Sequence, residues 1–117
     1  MSDAATLERA VDAGEIVRAL RDYGLSQAEV GAIAGVTDRA VRNWANNGIR
    51  PDRYDRLAEL RDIALLLSDS LTPRGTGQWF HARNRLLEGE RPLELLAQGR
   101  SDEVRRAAQA FVDGSYV

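Results

Sequence analysis

Few residues in this chain have the chemistry for catalysis or metal binding. Of its 117 residues one is a histidine, His81, and none is a cysteine. Disulfides, thiolate nucleophiles and cysteine-ligated zinc are therefore excluded together. A metal site needs three or four convergent ligands, and His81 has no second imidazole or thiolate to join it. The acids are scattered through helix starts and polar faces, without an evident pair for acid–base work. Gly75 and Gly77 in PRGTGQW are too few to cradle a phosphate, and no nucleophile motif occurs. The expectation is a chain that is not an enzyme, with no catalytic residue, metal or cofactor of its own. His81 is read as a packing or hydrogen-bonding residue, and a small hydrolase using it is the reading this displaces.

Arg39, Arg42 and Asn43 have a clearer task. Arginine can donate to two acceptors of guanine, and asparagine matches the acceptor–donor edge of adenine. The three fall on one side of a short helical stretch, with Val41 and Trp44 on the other. Gln27, at the start of the preceding helix, is placed to bind a phosphate. Between Thr37 and Arg56 five arginines (39, 42, 50, 53 and 56) stand against three aspartates (38, 52 and 55). The chain as a whole has a net charge of −2, and all 16 of its basic residues are arginine. That balance argues against coating nucleic acid nonspecifically, which is driven by phosphate neutralisation and counterion release. Any DNA contact must come from the local cluster, where Asp38 at the tip of the reading helix opposes phosphate.

The elements that would position these groups follow from caps and periodicity. Asp12-Ala-Gly-Glu15 and Ser26-Gln-Ala-Glu29 both have capping-box spacing. The first opens a helix with Ile16, Val17, Leu20 and Tyr23 at helical intervals, stopped by Gly24. The second carries Val30, Ile33 and Ala34 inward until Gly35 supplies a left-handed corner. Thr37 caps a third helix, expected to end around Asn46-Asn47-Gly48. From Arg53 to Leu71, residues Tyr54, Leu57, Leu60, Ile63, Ala64, Leu67 and Leu71 mark a long amphipathic helix. Thr72-Pro-Arg-Gly75 is the expected boundary between segments 1–71 and 72–117. Beyond it come a piece bearing Trp79 and Phe80, an irregular turn through Asn84, a helix opened by Pro92 and stopped by Gly99, and a last helix begun by Ser101-Asp-Glu103 and closed by Gly114. With no alternating strand pattern, the fold class is all-α, of about six or seven helices.

On these residues two resemblances can be stated. Leu25 to Gly48 resembles the Xre/Cro type of helix-turn-helix, in which a first helix crosses the DNA backbone and a second enters the major groove. WFHARNRLLEGERPLELLAQG, Trp79 to Gly99, with Val104 and the terminal GSYV, resembles the toxin-binding domain of Xre/MbcA/ParS-type antitoxins. The matching positions are Trp79, Asn84, Leu86, Leu87, Pro92, Leu93, Leu96, Gly99 and Val104, and together the resemblances span nearly all of the chain after Gly14. They imply an antitoxin paired with a RES-domain toxin that consumes or uses NAD. They imply that it blocks the toxin's NAD pocket and contacts operator DNA through Gln27, Arg39, Arg42 and Asn43. The expected toxin-binding residues are Asn84, Arg85, Gly114, Ser115, Tyr116 and Val117. The same resemblance implies self-association, expected as a homodimer within a larger toxin–antitoxin complex. The apolar side chains Leu60, Ile63, Ala64, Leu66, Leu67 and Leu71 exceed what one helical stripe needs. The alternative is a stand-alone Xre-like dimeric repressor whose C-terminal helices serve only to dimerise.

The longest apolar run, Ile63 to Leu67, is far shorter than the ~20 residues of a membrane-spanning helix. The opening MSDAATLERA mixes small, acidic and basic residues, unlike a secretory signal. The expected location is the cytoplasm, without membrane association.

Overall fold

The computed structural model describes residues 3–44 and 48–114. The described residues form eight α-helices: α1 (Asp3–Arg9), α2 (Ala13–Arg21), α3 (Gln27–Ala34), α4 (Asp38–Arg42), α5 (Pro51–Leu67), α6 (Pro73–His81), α7 (Pro92–Ala97) and α8 (Ser101–Val112). A single 3-10 turn, Arg85–Leu87, lies between α6 and α7. The all-α class expected from the sequence is what folds.

Local chemistry sets the helix starts. Asp12 and Ser26 each accept the backbone N–H of the residue three positions on, while Glu15 and Glu29 reach back to the cap amides. Thr37 caps α4 and Thr72 caps α6 in the same way, with one side-chain hydrogen bond each. Pro51 begins α5, Pro73 begins α6 and Pro92 begins α7, where the missing N–H costs nothing. Two boundaries differ from the sequence reading. The long helix runs Pro51–Leu67, two residues earlier at its start and four shorter at its end. Thr72-Pro-Arg-Gly75, where the pattern of the long helix was expected to break, forms the cap and first turn of α6, with Thr72 accepting the Gly75 amide at 3.0 Å. Helix α1 was not foreseen, since Leu7 is its one large apolar residue. Leu7 and Ala10, just beyond the helix, are both buried.

The long helix α5 organises the rest. It packs against α1, α2, α3 and α8, and α7 bridges α3, α6 and α8. Leu57, Leu60, Ile63, Ala64 and Leu67 are fully enclosed, in one continuous core with Ile16, Leu20, Tyr23, Val30, Phe80, Leu95 and Val104. The surplus of apolar side chains on α5 is thus largely covered within the chain, leaving Leu65 and Leu66 half-buried at its edge and Leu71 half-buried just beyond its end. Polar contacts tie the remaining surfaces of α5. Arg61 donates to the Ala10 carbonyl at 2.9 Å, Tyr54 donates to the Val11 carbonyl, and Ser101 donates to Glu59 at 2.7 Å.

Helix α6 seats on the turn after α2 with little clearance. A methyl at Gly77 would lie 2.0 Å from the Tyr23 carbonyl oxygen. Only a residue without Cβ lets the two backbones approach this closely.

Candidate functional site

Helix α3, the Gly35 corner and α4 form one constructed unit. Gly35 has φ +80, a left-handed conformation that a side chain resists. A Cβ there would also meet the Arg53 guanidinium at 2.3 Å. That guanidinium donates to the Ala34 carbonyl at 3.2 Å, satisfying an orphan acceptor at the end of α3 and tying the corner to α5. Gly31 lets the Val36 carbonyl and the Val41 side chain lie against α3. Val41 and Trp44 are buried, while Arg39, Arg42 and Asn43 are exposed together. The division into packing and polar faces is that expected from the sequence, and Gln27 is half-buried at the first position of α3.

The sequence reading did not anticipate how these charges pair. Arg42 Nη1 lies 2.6 Å from Asp38 one turn earlier. Arg50 and Arg53 both approach Asp52, at 3.4 and 3.8 Å. Among the described residues Arg39 has no ion pair, unlike Arg42. An i,i+4 spacing of opposite charges is the signal that would have announced the Arg42 pairing.

The second candidate region surrounds the 3-10 turn. Asn84 is only 6% exposed. Its Oδ1 accepts the Leu86 N–H at 2.9 Å, and its backbone N–H donates to the Glu90 carbonyl at 3.1 Å. The side chain thus works from inside, shaping the turn that carries Arg85 and Leu86 outward. Leu86 is 46% exposed, and the described residues include only one other exposed large hydrophobic, Val11. Glu88 adopts φ +56, an unusual conformation for a residue with a side chain, followed by Gly89 at φ +83. The turn and α8 border an open cleft of about 550 Å³, lined by Leu86, Leu87, Leu95 and Ala107, with Glu90 and Arg106 among its charged residues. Gly114, exposed at φ +74, follows α8. Ser115, Tyr116 and Val117 lie outside the described residues, as do Asn46 and Asn47.

His81 ends α6 with both ring nitrogens engaged, one on the Gly77 carbonyl and one on Glu29 of α3, each at 2.7 Å. This is the hydrogen-bonding role expected of it. Among the described residues no group of three or more His, Asp or Glu side chains is arranged to hold a metal ion, and no helix is long and apolar enough to cross a membrane.

The described residues thus combine an exposed arginine–asparagine face on a capped helix with a capped turn beside an open cleft, in an all-α fold. Similar proteins give that fold a family. No family model matches the chain. The probable mycobacterial cidal antitoxin Rv3188 of Mycobacterium tuberculosis is 62% identical over 114 residues, covering 97% of this chain and 99% of that protein. The mycobacterial cidal antitoxin MbcA of Mycobacterium bovis is 31% identical over 107 residues, 90% of this chain and 95% of that protein. In the crystal structure of the M. tuberculosis MbcT–MbcA toxin–antitoxin complex, a chain 28% identical matches 97% of this one, and 96% of its own length, with a TM-score of 0.72. The chain belongs to the mycobacterial cidal antitoxins, the antitoxin side of toxin–antitoxin systems.

Proposed function

We propose that this antitoxin neutralises a cognate RES-domain toxin by closing the toxin's NAD pocket, and regulates its own operon through the α3–α4 unit. The observation that carries the toxin reading is the end-to-end identity of 62% to a probable mycobacterial cidal antitoxin. The likeness to a chain from a toxin–antitoxin complex supports it. Gly114-Ser-Tyr-Val117 is the inhibitory segment. After the helix-ending Gly114 the sequence carries an aromatic and a branched apolar residue, Tyr116 and Val117. Tyrosine offers a large rigid body with a polar tip for a nucleotide pocket. Arg85 meets the toxin from the 3-10 turn, and Asn84 acts from beneath by holding that turn. Inhibition is steric, so the chain supplies no chemistry and needs no cofactor.

For DNA, the supporting feature is the exposed set Arg39, Arg42 and Asn43 on a helix whose other face is buried, with Gln27 positioned for a phosphate. Two copies of the chain, associated through the edge carrying Leu65, Leu66 and Leu71, would present paired readers to successive groove segments. The place of action is the cytoplasm, where NAD and the operon are found.

Co-expression with the toxin tests the first half. Deleting Ser115 to Val117 leaves the helical circular-dichroism spectrum unchanged and releases toxin activity; full neutralisation by the truncated chain overturns the plug. Arg39→Ala tests the second. It weakens binding to the chain's own promoter by about 1–3 kcal/mol and relaxes sequence preference. Unchanged promoter binding by this variant, alone and with toxin, removes the reader.

A further inference from the structure

His81 faces two atoms that can only accept hydrogen bonds. Nδ1 lies 2.7 Å from the Gly77 carbonyl oxygen and Nε2 lies 2.7 Å from a Glu29 carboxylate oxygen. A neutral imidazole has one N–H, so it would set a lone pair against one of these oxygens, whereas the imidazolium donates to both. We infer that His81 and Glu29 form a proton-operated latch between α6 and α3, tight while His81 is charged and loosened once it loses its proton.

Glu29 is prepared for this from the other side. Its Oε1 accepts the Ser26 N–H at 2.9 Å, completing the capping box of α3, and its Oε2 is left for His81. Helix α6 is therefore held at two points of different chemistry. At Gly77 it is packed against the Tyr23 backbone, and at His81 it is tied by a charge that depends on pH. Other charged groups border the same ground: Arg21 and Asp22 at the end of α2, Arg74 on α6 itself, Arg91 just before α7 and Glu94 on it. Tyr23 also lines it, with its hydroxyl 3.3 Å from Ser68 Oγ. Among the described residues Glu29 is the one acid at ion-pair distance from His81.

Partial burial disfavours the charge on His81, but the Gly77 carbonyl and the Glu29 carboxylate outweigh it and hold the imidazole above its usual 6.5. Burial likewise pushes Glu29 up, but the Ser26 amide and His81 draw it below its usual 4.5. A raised histidine contributes fully below 6.5, and the contribution is lost as pH rises through the raised value. A lowered carboxylate contributes above 4.5, and the contribution is lost as pH falls through the lowered value. The latch is tight between those limits and loosens on the alkaline side. The side chains are 43% and 34% exposed, so water screens the pair and loss of the proton loosens one contact without unfolding the chain.

The full chain has one histidine, so a single imidazole Hε1 resonance reports the titration. The expected midpoint lies above 6.5 in the wild type. Glu29→Gln, which keeps an acceptor for the Ser26 amide, lowers it by at least about half a unit, a roughly threefold loss of coupling. Hydrogen exchange supplies a second readout. After correction for intrinsic rates, α6 amides exchange several-fold faster once pH passes the wild-type midpoint, and His81→Gln shows no such step. A wild-type midpoint at or below 6.5, a midpoint unmoved by Glu29→Gln, or the same α6 profile in His81→Gln overturns the latch.

Discussion

Asp38 governs how much of the exposed face of α4 is available. Its carboxylate holds Arg42 at 2.6 Å, and a guanidinium so engaged must exchange partners before it can meet a base or a phosphate. Exposed i,i+4 pairs are worth a few tenths of a kcal/mol, so the exchange is easy, but the aspartate's own charge stays at the tip of the helix. Asp38→Asn is expected to strengthen promoter binding several-fold and to steepen its salt dependence by about one ion, read by fluorescence anisotropy at a series of salt concentrations. Unchanged affinity and slope would place Arg42 outside the DNA contact. At this scale the sequence was informative about residue type and less so about partner. Asn84 shows why: an amide can serve as a surface donor or as the cap of a turn, and only its 6% exposure and its bond to Leu86 distinguish the two.

Among the elements, α6 departs most from the sequence reading. Thr72-Pro-Arg-Gly75 read as a break, and there Thr72 caps a helix that runs on from Pro73 to His81. Gly77 is where packing overrides propensity. In an exposed helix alanine would be favoured over glycine by roughly 0.5–1 kcal/mol, but here the added methyl would fall 2.0 Å from the Tyr23 carbonyl. Gly77→Ala is therefore expected to destabilise the chain by about 1–3 kcal/mol, measured by urea denaturation. A stabilised variant would mean that α6 does not sit on the turn after α2. The helices whose starts were legible carry their instructions locally: α2, α3 and α4 in a cap residue and a partner three positions on, α7 in Pro92 and α8 in Ser101 and the acids that follow it. Helix α1 has no side-chain signal of that kind and is held by contacts with α2 and α5.

For the whole molecule, segments 1–71 and 72–117 separate two proposed tasks across one core. Leu60, Ile63 and Leu67 of α5 share an unbroken buried cluster with Leu20 and Val30 on one side and Phe80, Leu95 and Val104 on the other. Each segment contains one tryptophan, Trp44 and Trp79. Unfolding followed in Trp44→Phe and Trp79→Phe variants, each reporting the opposite half, is expected to give coincident transitions, as a single cooperative unit requires. Leu60→Ala, removing a fully enclosed side chain from the shared helix, should lower both transitions together by about 2–5 kcal/mol. Two separate midpoints, with Leu60→Ala moving one alone, would show that the halves fold independently.

The all-α class, the caps of α2, α3 and α4, the Gly35 corner and the polar face of α4 were determined by the sequence alone. These features depend on residues within a few positions of one another, where side-chain type fixes backbone hydrogen bonding. The tertiary structure alone decided that α5 spends most of its apolar surface inside one chain, that Asn84 is a buried cap, that Gly77 is a contact between backbones, and that His81 meets Glu29 across 52 positions. Apart from the Asn84 cap, a bond over two positions of which only the burial is tertiary, each of these joins residues distant in sequence, and no periodicity or spacing encodes which helix a given side chain will face.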